Sequence, residues 1–318
     1  MKTQTLGQTD LQVTRLCYGA MRIAGTSWDR TKVGPTEIEN GIRILEHAVD
    51  AGYNFIDHAD IYGDTACETI HGLALDRHPD WREKLIVATK CGIRFDDEPP
   101  GTPHRYDFSG EHIRWSVDEA LKRLKLERID LFQLHRPDYL GDPQEIAAAF
   151  TEIHKAGKVR YFGVSNFRPS LVEALQSALP FPLVSNQVEI SPLHLDTFDD
   201  GTLDQCLTKK MTPLAWSPLA QGRLGAAISD DYPLPAKESE IAAVARLKPL
   251  LAKVAKEYGV SPTVIVLAWL MRHPSRIIPI YGSTRPELIV EATKADGITL
   301  DRDNWYRILF AARGTKLP

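Results

Sequence analysis

The stretch Arg128-Ile-Asp-Leu-Phe-Gln-Leu-His135, followed by Pro143–Ala156 and Val159-Arg-Tyr-Phe-Gly-Val-Ser165, decides the fold. The first and last pieces are short apolar runs of strand length, and the middle piece carries apolar residues at helical spacing. A strand, a helix and a second strand in that order read as two parallel strands joined by a crossover. The same alternation extends both ways. Upstream, strands are expected at Leu16–Gly19, Asn54–Asp57 and Lys84–Lys90, with helices at Pro35–Ala51, Asp64–Asp76 and Glu111–Lys125. Downstream, strands fall at Leu183–Val188, Met211–Trp216 and Ile277–Ile280. Helices fall at Pro169–Ala178, Thr202–Thr208, Glu238–Tyr258, Thr263–Met271 and Pro286–Ala295.

Eight strands alternating with helices are the number that closes an α/β barrel of the (β/α)8 TIM type. An open doubly wound sheet is the competing arrangement, but no G-x-G-x-x-G follows the first strand. Residues 1–14 read as a β-hairpin around Gly7–Asp10 that caps the barrel bottom, and Asn304–Ala312 as an extra C-terminal helix. No linker divides the chain, which reads as one domain over residues 1–318. Two long loops, Asp96–Phe108 and Leu219–Pro235, follow C-terminal strand ends, the face where barrel active sites lie.

Composition agrees with a folded enzyme-sized chain. Of 318 residues, 43% are apolar and 25% charged, which excludes disordered and fibrous classes. The formal charge is −4 with no long basic run, so no nucleic-acid partner is expected. Mean hydropathy is −0.24 and no apolar stretch suits a membrane span. Cys17, Cys67, Cys91 and Cys206 are scattered and form no C-x-x-C pair, so no metal site is expected. With no signal region at the start, the expected location is cytoplasmic. Nothing in the sequence assigns an oligomeric state.

Ionisable side chains gather at expected strand ends. Asp57 ends the second strand, Tyr62 follows in the loop Asp60–Gly63, Lys90 ends the third strand, and His135 the fourth. Singly, such residues serve as caps, surface cover or snorkelling cations. On consecutive barrel strands they converge on one mouth.

These motifs resemble the aldo-keto reductase family. The matching pieces are Asn54–Gly63, Ala88-Thr89-Lys90, Phe132–Arg136, Gly157–Phe167, Ser185–Glu189, Pro213–Leu219 and Ile278–Ser283, in order from about Leu6 onward. Within the family, His58-Ala59-Asp60, Lys90-Cys91-Gly92 and His135-Arg136-Pro137-Asp138 look most like the bacterial YdhF-type oxidoreductases. The resemblance implies a catalytic tetrad of Asp57, Tyr62, Lys90 and His135. Hydride delivery to a carbonyl leaves charge on oxygen, so a proton donor must stand beside it. The Lys90 ammonium is expected to lower the Tyr62 pKa, Asp57 to pair with Lys90, and His135 to orient the carbonyl.

The resemblance also implies a nicotinamide cofactor across the barrel mouth, NADP(H) with NAD(H) as the alternative. Ser165, Asn166 and Gln187 would hold its carboxamide, Asp57 would lie against it, and Trp216 would stack on the ring. Ser217, Leu219, Gln221, Gly222 and Arg223 would approach the pyrophosphate, with Gly19, Ala20 and Met21 offering backbone. Gly282, Ser283, Thr284 and Arg285 precede a helix start, which favours an anion such as a 2′-phosphate. Here the chain departs from relatives that have Lys at Gly282, Arg near Leu288 and Asn at Ala292, leaving Arg285 as the strong cation of the segment. The implied activity is reduction of an aldehyde or ketone to an alcohol. The competing readings are a cofactor-binding redox sensor or regulatory subunit with little turnover, and a barrel hydrolase or lyase. Met21, Trp28, Phe95, Arg136 and Tyr139 are candidates for contact with a small carbonyl substrate. Arg136 would serve an acidic group or pair with a neighbouring carboxylate.

Overall fold

A computed structural model describes residues 1–25, 33–225 and 238–315. The chain opens with an antiparallel hairpin, β1 (Thr3–Thr5) and β2 (Gln12–Thr14). Eight parallel strands then close a barrel: β3 (Cys17–Gly19), β4 (Phe55–Asp57), β5 (Ile86–Cys91), β8 (Ile129–Leu134), β9 (Val159–Ser165), β10 (Ser185–Glu189), β11 (Thr212–Trp216) and β12 (Ile278–Tyr281). β12 pairs with β3 to complete the ring. All eight strands expected from the sequence are present, with no end displaced by more than two residues. They are legible because a strand covered on both faces is apolar nearly throughout.

The hairpin plugs the bottom. Leu6, Leu11 and Val13 join Cys17, Phe55, Ala88, Leu131, Val184, Leu214 and Ile278 in one buried cluster inside the barrel. Burying each of the Leu, Val, Ile and Phe side chains contributes about 1.5–3 kcal/mol. Gly7 makes the turn at φ +51°, and its N–H donates to Thr212 Oγ1 at 2.7 Å. A Cβ at Gly7 would run into the Val184 carbonyl, so the turn cannot carry a side chain without shifting.

The outer layer follows the crossover pattern. α1 (Pro35–Asp50), α2 (Ala66–Arg77), α4 (Gly110–Leu124), α5 (Pro143–Lys155) and α6 (Pro169–Ala178) alternate with the first strands. Start signals are chemical: Asp142 caps α5, accepting from Gln144 N at 2.8 Å with Pro143 in the first turn. α8 (Thr202–Lys209), α9 (Glu238–Tyr258), α10 (Pro262–Met271) and α11 (Pro286–Thr293) complete the ring, and the expected extra helix is α12 (Arg302–Arg313), packed on α9. Every residue of α10 after Pro262 is buried.

Three short features were absent from the sequence reading: α3 (Trp81–Lys84), α7 (Asp196–Asp199), and a small hairpin of β6 (Ile93–Arg94) and β7 (Arg105–Tyr106). The hairpin corrects the expected Asp96–Phe108 loop, which is the tip and return strand of this ribbon. Two-residue strands are too short to display a period. Of the second expected loop, Leu219–Pro235, residues 226–235 lie outside the described residues, as does Trp28.

Candidate active site

The register sets the site. Gly19 pairs with Asp57, Asp57 with Ala88, and Lys90 with Gln133, so neighbouring C-terminal strand ends present side chains at one level. Lys90 is fully buried, and Asp57 is 2% exposed. A buried ammonium needs full compensation. Lys90 Nζ donates to both Asp57 carboxylate oxygens at 2.8 Å and to the His58 carbonyl at 2.6 Å. Burial works against its charge, but Asp57 and Tyr62 outweigh burial and hold the Lys90 pKa above its ordinary value.

Tyr62 sits in a tight turn, its N–H donating to the Ala59 carbonyl at 3.1 Å. Its ring centre lies 4.9 Å from Lys90 Nζ and 6.1 Å from the His135 ring, edge to face. Burial pushes the Tyr62 phenol up to about 12, although the Lys90 ammonium draws it down. This corrects the sequence expectation. The direction of Lys90's effect is as expected, but desolvation is the larger influence and the net shift is upward. His135 follows β8 directly. Burial, reinforced by Lys90 and Arg136, holds its imidazole well below the ordinary range, so it is neutral near pH 7. The four side chains singled out at strand ends thus meet in one contiguous group.

A second network adjoins it. Ser165 Oγ donates to the Gln187 carbonyl at 2.8 Å, and Asn166 Nδ2 donates to Ser165 Oγ at 2.9 Å and to the His135 carbonyl at 3.1 Å. Asn166 adopts φ +60°, and its Oδ1 accepts from Trp216 Nε1 at 3.0 Å, which pins the indole plane. Gln187 Nε2 donates to Asp57 Oδ1 at 2.8 Å. The sequence reading missed this bond, which ties the amide network to the Asp57–Lys90 pair. It also missed the His58 carbonyl as a lysine partner. No local motif signals either, because the pairs form across the barrel.

The remaining candidates spread along the rim. A Cβ on Gly19 would approach Ile280 Cγ2 to 2.8 Å, and one on Gly282 the Gly19 carbonyl to 2.9 Å, so both glycines serve the close packing of the β3–β12 seam. Ala20 and Met21 form a single 3-10 turn there. After β11, Ser217 and Gln221 take positive φ, as Gly222 does, and the Ala220 N–H donates to the Ser217 carbonyl at 2.8 Å. Leu219 accepts from Gly222 and Leu224 N–H groups, and Gln221 Oε1 is buried without a partner among the described residues. Arg223 donates to Glu240 Oε2 at 3.0 Å. Ser283 Oγ accepts from Arg285 N at 3.2 Å across Thr284, and Arg285 Nε donates to Glu287 Oε1 at 2.8 Å. Among the substrate candidates, Arg136 lies over Trp216 with Cζ 5.4 Å from its ring centre. Phe95 packs on His104 of the β6–β7 ribbon, and Tyr139 is 94% exposed.

The chain and its barrel have counterparts among known proteins. A family model described as "Aldo/keto reductase family" matches residues 15–309. The chain is 39% identical over 319 residues to a 6-dehydroglucose reductase of Novosphingobium aromaticivorans, covering 98% of this chain and 96% of that one. It is 40% identical over 278 residues to the oxidoreductase YdhF of Escherichia coli, covering 87% and 89%. The crystal structure of a glycerol dehydrogenase from Gluconobacter oxydans superposes with a TM-score of 0.86 at 26% identity, covering 100% of this chain and 98% of that one.

Proposed function

The chain belongs to the aldo/keto reductase family, and from that premise we propose that it is an NADP(H)-dependent carbonyl reductase, converting an aldehyde or ketone to an alcohol. Asp57, Tyr62, Lys90 and His135 are its catalytic residues. The observation that carries the reading is the buried Asp57–Lys90 pair at 2.8 Å, set 4.9 Å from the Tyr62 ring. Burying charges costs desolvation, and such groups with shifted pKa values cluster at functional sites.

The residues fit a nicotinamide. Gln187 commits Nε2 to Asp57, which leaves Oε1 to accept from a carboxamide, and Ser165 and Asn166 stand beside it. The pinned Trp216 indole offers a flat surface for the ring. When bound, the nicotinamide supplies the hydride. Tyr62 is protonated at neutral pH and gives its phenolic proton to the substrate oxygen. Lys90 stabilises the phenolate left behind, and Asp57 keeps Lys90 charged and fixed. Neutral His135 donates an N–H to the same oxygen and aligns the carbonyl with the Tyr62 hydroxyl.

The four cysteines are free and buried, which supports a reducing compartment, the cytoplasm, as the working location. No helix among the described residues is long and apolar enough to cross a membrane. We read the chain as one barrel domain acting on a small molecule. The test is a panel of aldehydes and ketones with NADPH and with NADH, followed by absorbance. Consumption of NADPH with stoichiometric alcohol is expected. No consumption of either cofactor with any carbonyl would overturn the assignment.

A further inference from the structure

We propose that Arg136 is a specificity residue that recognises a carboxylate on the substrate, so that the preferred substrates are carbonyl acids. The proposal rests on the reductase reading above and names its substrate class. Three observations carry it. Arg136 directly follows His135, so its side chain leaves the chain one residue from the imidazole that meets the carbonyl oxygen. The residue is half-buried and its guanidinium lies over Trp216, 5.4 Å from Cζ to ring centre, which holds it at the mouth rather than in solvent. Among the described residues no carboxylate comes within 4.0 Å of it.

Arg15, Arg77, Arg114, Arg123, Arg160 and Arg313 each hold an Asp or Glu, whereas Arg105, Arg272 and Arg307, like Arg136, hold none among the described residues; what sets Arg136 apart is its place beside His135 and over Trp216. An acidic residue of the rim that feels Arg136 is Glu189, the register partner of Trp216 on β10. Its Oε2 pairs instead with His194 Nδ1 at 3.7 Å. Arg136 still acts on both neighbours electrostatically, drawing the half-buried Glu189 carboxyl down against its burial and pushing the His135 imidazole further down. A partly desolvated guanidinium has five donors in a planar fork, and a π face satisfies none of them directionally. A carboxylate matches that fork bidentately. With the carbonyl oxygen held at Tyr62 and His135, an acid group reaching Arg136 lies only a few bonds from the reacting carbon. The indole has two faces, and the proposal gives one to Arg136 and the other to the nicotinamide.

The test pairs each acid with its neutral ester, so that size and carbonyl reactivity stay close: 4-formylbenzoate with methyl 4-formylbenzoate, and phenylglyoxylate with methyl phenylglyoxylate. The parent is expected to favour at least one acid over its ester in kcat/KM. Arg136→Met should lower kcat/KM for that acid at least about tenfold more than for the ester, mainly through KM, and Arg136→Lys should restore part of the difference. Calorimetry of benzoate against benzamide asks the same question without turnover. Benzoate should bind the parent and weaken about tenfold on Arg136→Met, with benzamide little changed. Equal losses for acid and ester, or no benzoate discrimination in the parent, would overturn the proposal. So would tighter NADPH binding by Arg136→Met, since the guanidinium would then be standing where the nicotinamide stacks. If benzoate discriminates but no carbonyl consumes cofactor, the anion site stands and the reductase reading fails.

Discussion

The two ends of the barrel mouth are built on opposite terms. At the β4–β5–β8 end, Asp57, Lys90 and His135 are buried, and one continuous set of hydrogen bonds runs from the His58 carbonyl through Lys90, Asp57 and Gln187. At the β12–α11 end, Ser283 and Arg285 stand in a turn, and the Arg285–Glu287 ion pair is 57% and 61% exposed. The first end is expensive to perturb, because each removed partner strands another buried polar group. The second end is solvated, and its pairs exchange with water at little cost. Chemistry needs the first kind of environment, while recognition of a charged, flexible ligand tolerates the second.

The largest effect is expected from the proton donor. Tyr62→Phe keeps the ring against His135 and removes only the hydroxyl. Reductase turnover should fall about 10²–10⁴-fold with cofactor affinity nearly kept. Because burial raises the phenol to about 12, Tyr62 stays protonated through the neutral range. Reduction by the parent should therefore show no loss assignable to Tyr62 between about pH 6 and pH 9. Turnover of Tyr62→Phe equal to the parent would remove Tyr62 from the mechanism.

Lys90→Met should come next. It leaves the Asp57 carboxylate buried without its counter-ion, a change that typically costs about 3–5 kcal/mol of stability. The loss should shrink in Lys90→Met/Asp57→Asn, which removes both charges. The phenol of Tyr62 also loses the charge that draws it down, so its pKa rises further. Alcohol oxidation needs the phenolate, so it should fall more than carbonyl reduction, and its rise with pH should move to the alkaline side. A variant with parental melting temperature and pH profile would make Lys90 a spectator.

Why some of this was legible and some not follows from where the information sits. Lys84–Lys90 and Arg128–His135 announce buried parallel strands by themselves, and the four ionisable residues at strand ends could be placed once the barrel was counted. The Gln187–Asp57 bond joins residues 130 positions apart and depends on which rotamer crosses the barrel. The sign of the Tyr62 shift depends on solvent exclusion by the whole fold, which no local pattern encodes. β6 and β7 have two residues each, too few for any period to register. The Arg285–Glu287 pair was written in the sequence as neighbours two apart, but their joining needs the extended backbone of Arg285 at the start of α11.

Gln187→Leu probes the joint between the tetrad and the amide network. Asp57 loses one of its donors but keeps Lys90, so the tetrad should remain assembled. The variant also loses the amide oxygen assigned to the carboxamide. Cofactor affinity is expected to weaken about tenfold, the scale of one hydrogen bond at a buried site, with a smaller change in kcat. Gln187→Glu would set a carboxylate beside Asp57 and should be worse than Gln187→Leu. If both variants bind cofactor as the parent does, Gln187 only braces Asp57.

The smallest effect is expected at the exposed end. Arg285 is the cation that the sequence offers for a 2′-phosphate, and its geometry sets the size of that contribution. Its Nε is already engaged by Glu287 at 2.8 Å, and both side chains are more than half exposed. A phosphate must therefore compete with an existing carboxylate in a screened setting, which trims the benefit of the contact. Arg285→Ala should weaken NADPH about three- to tenfold and leave NADH nearly unchanged. Glu287→Gln makes the sharper test, because it removes the competitor and keeps the guanidinium. NADPH should then bind about two- to fivefold more tightly, with NADH unmoved, and added salt should erase the gain. Fluorescence titration of both cofactors, with Trp216 as reporter, measures the ratio directly. Parallel changes for the two cofactors would mean that this segment holds the shared adenosine portion. The 2′-phosphate preference would then have to come from elsewhere on the rim.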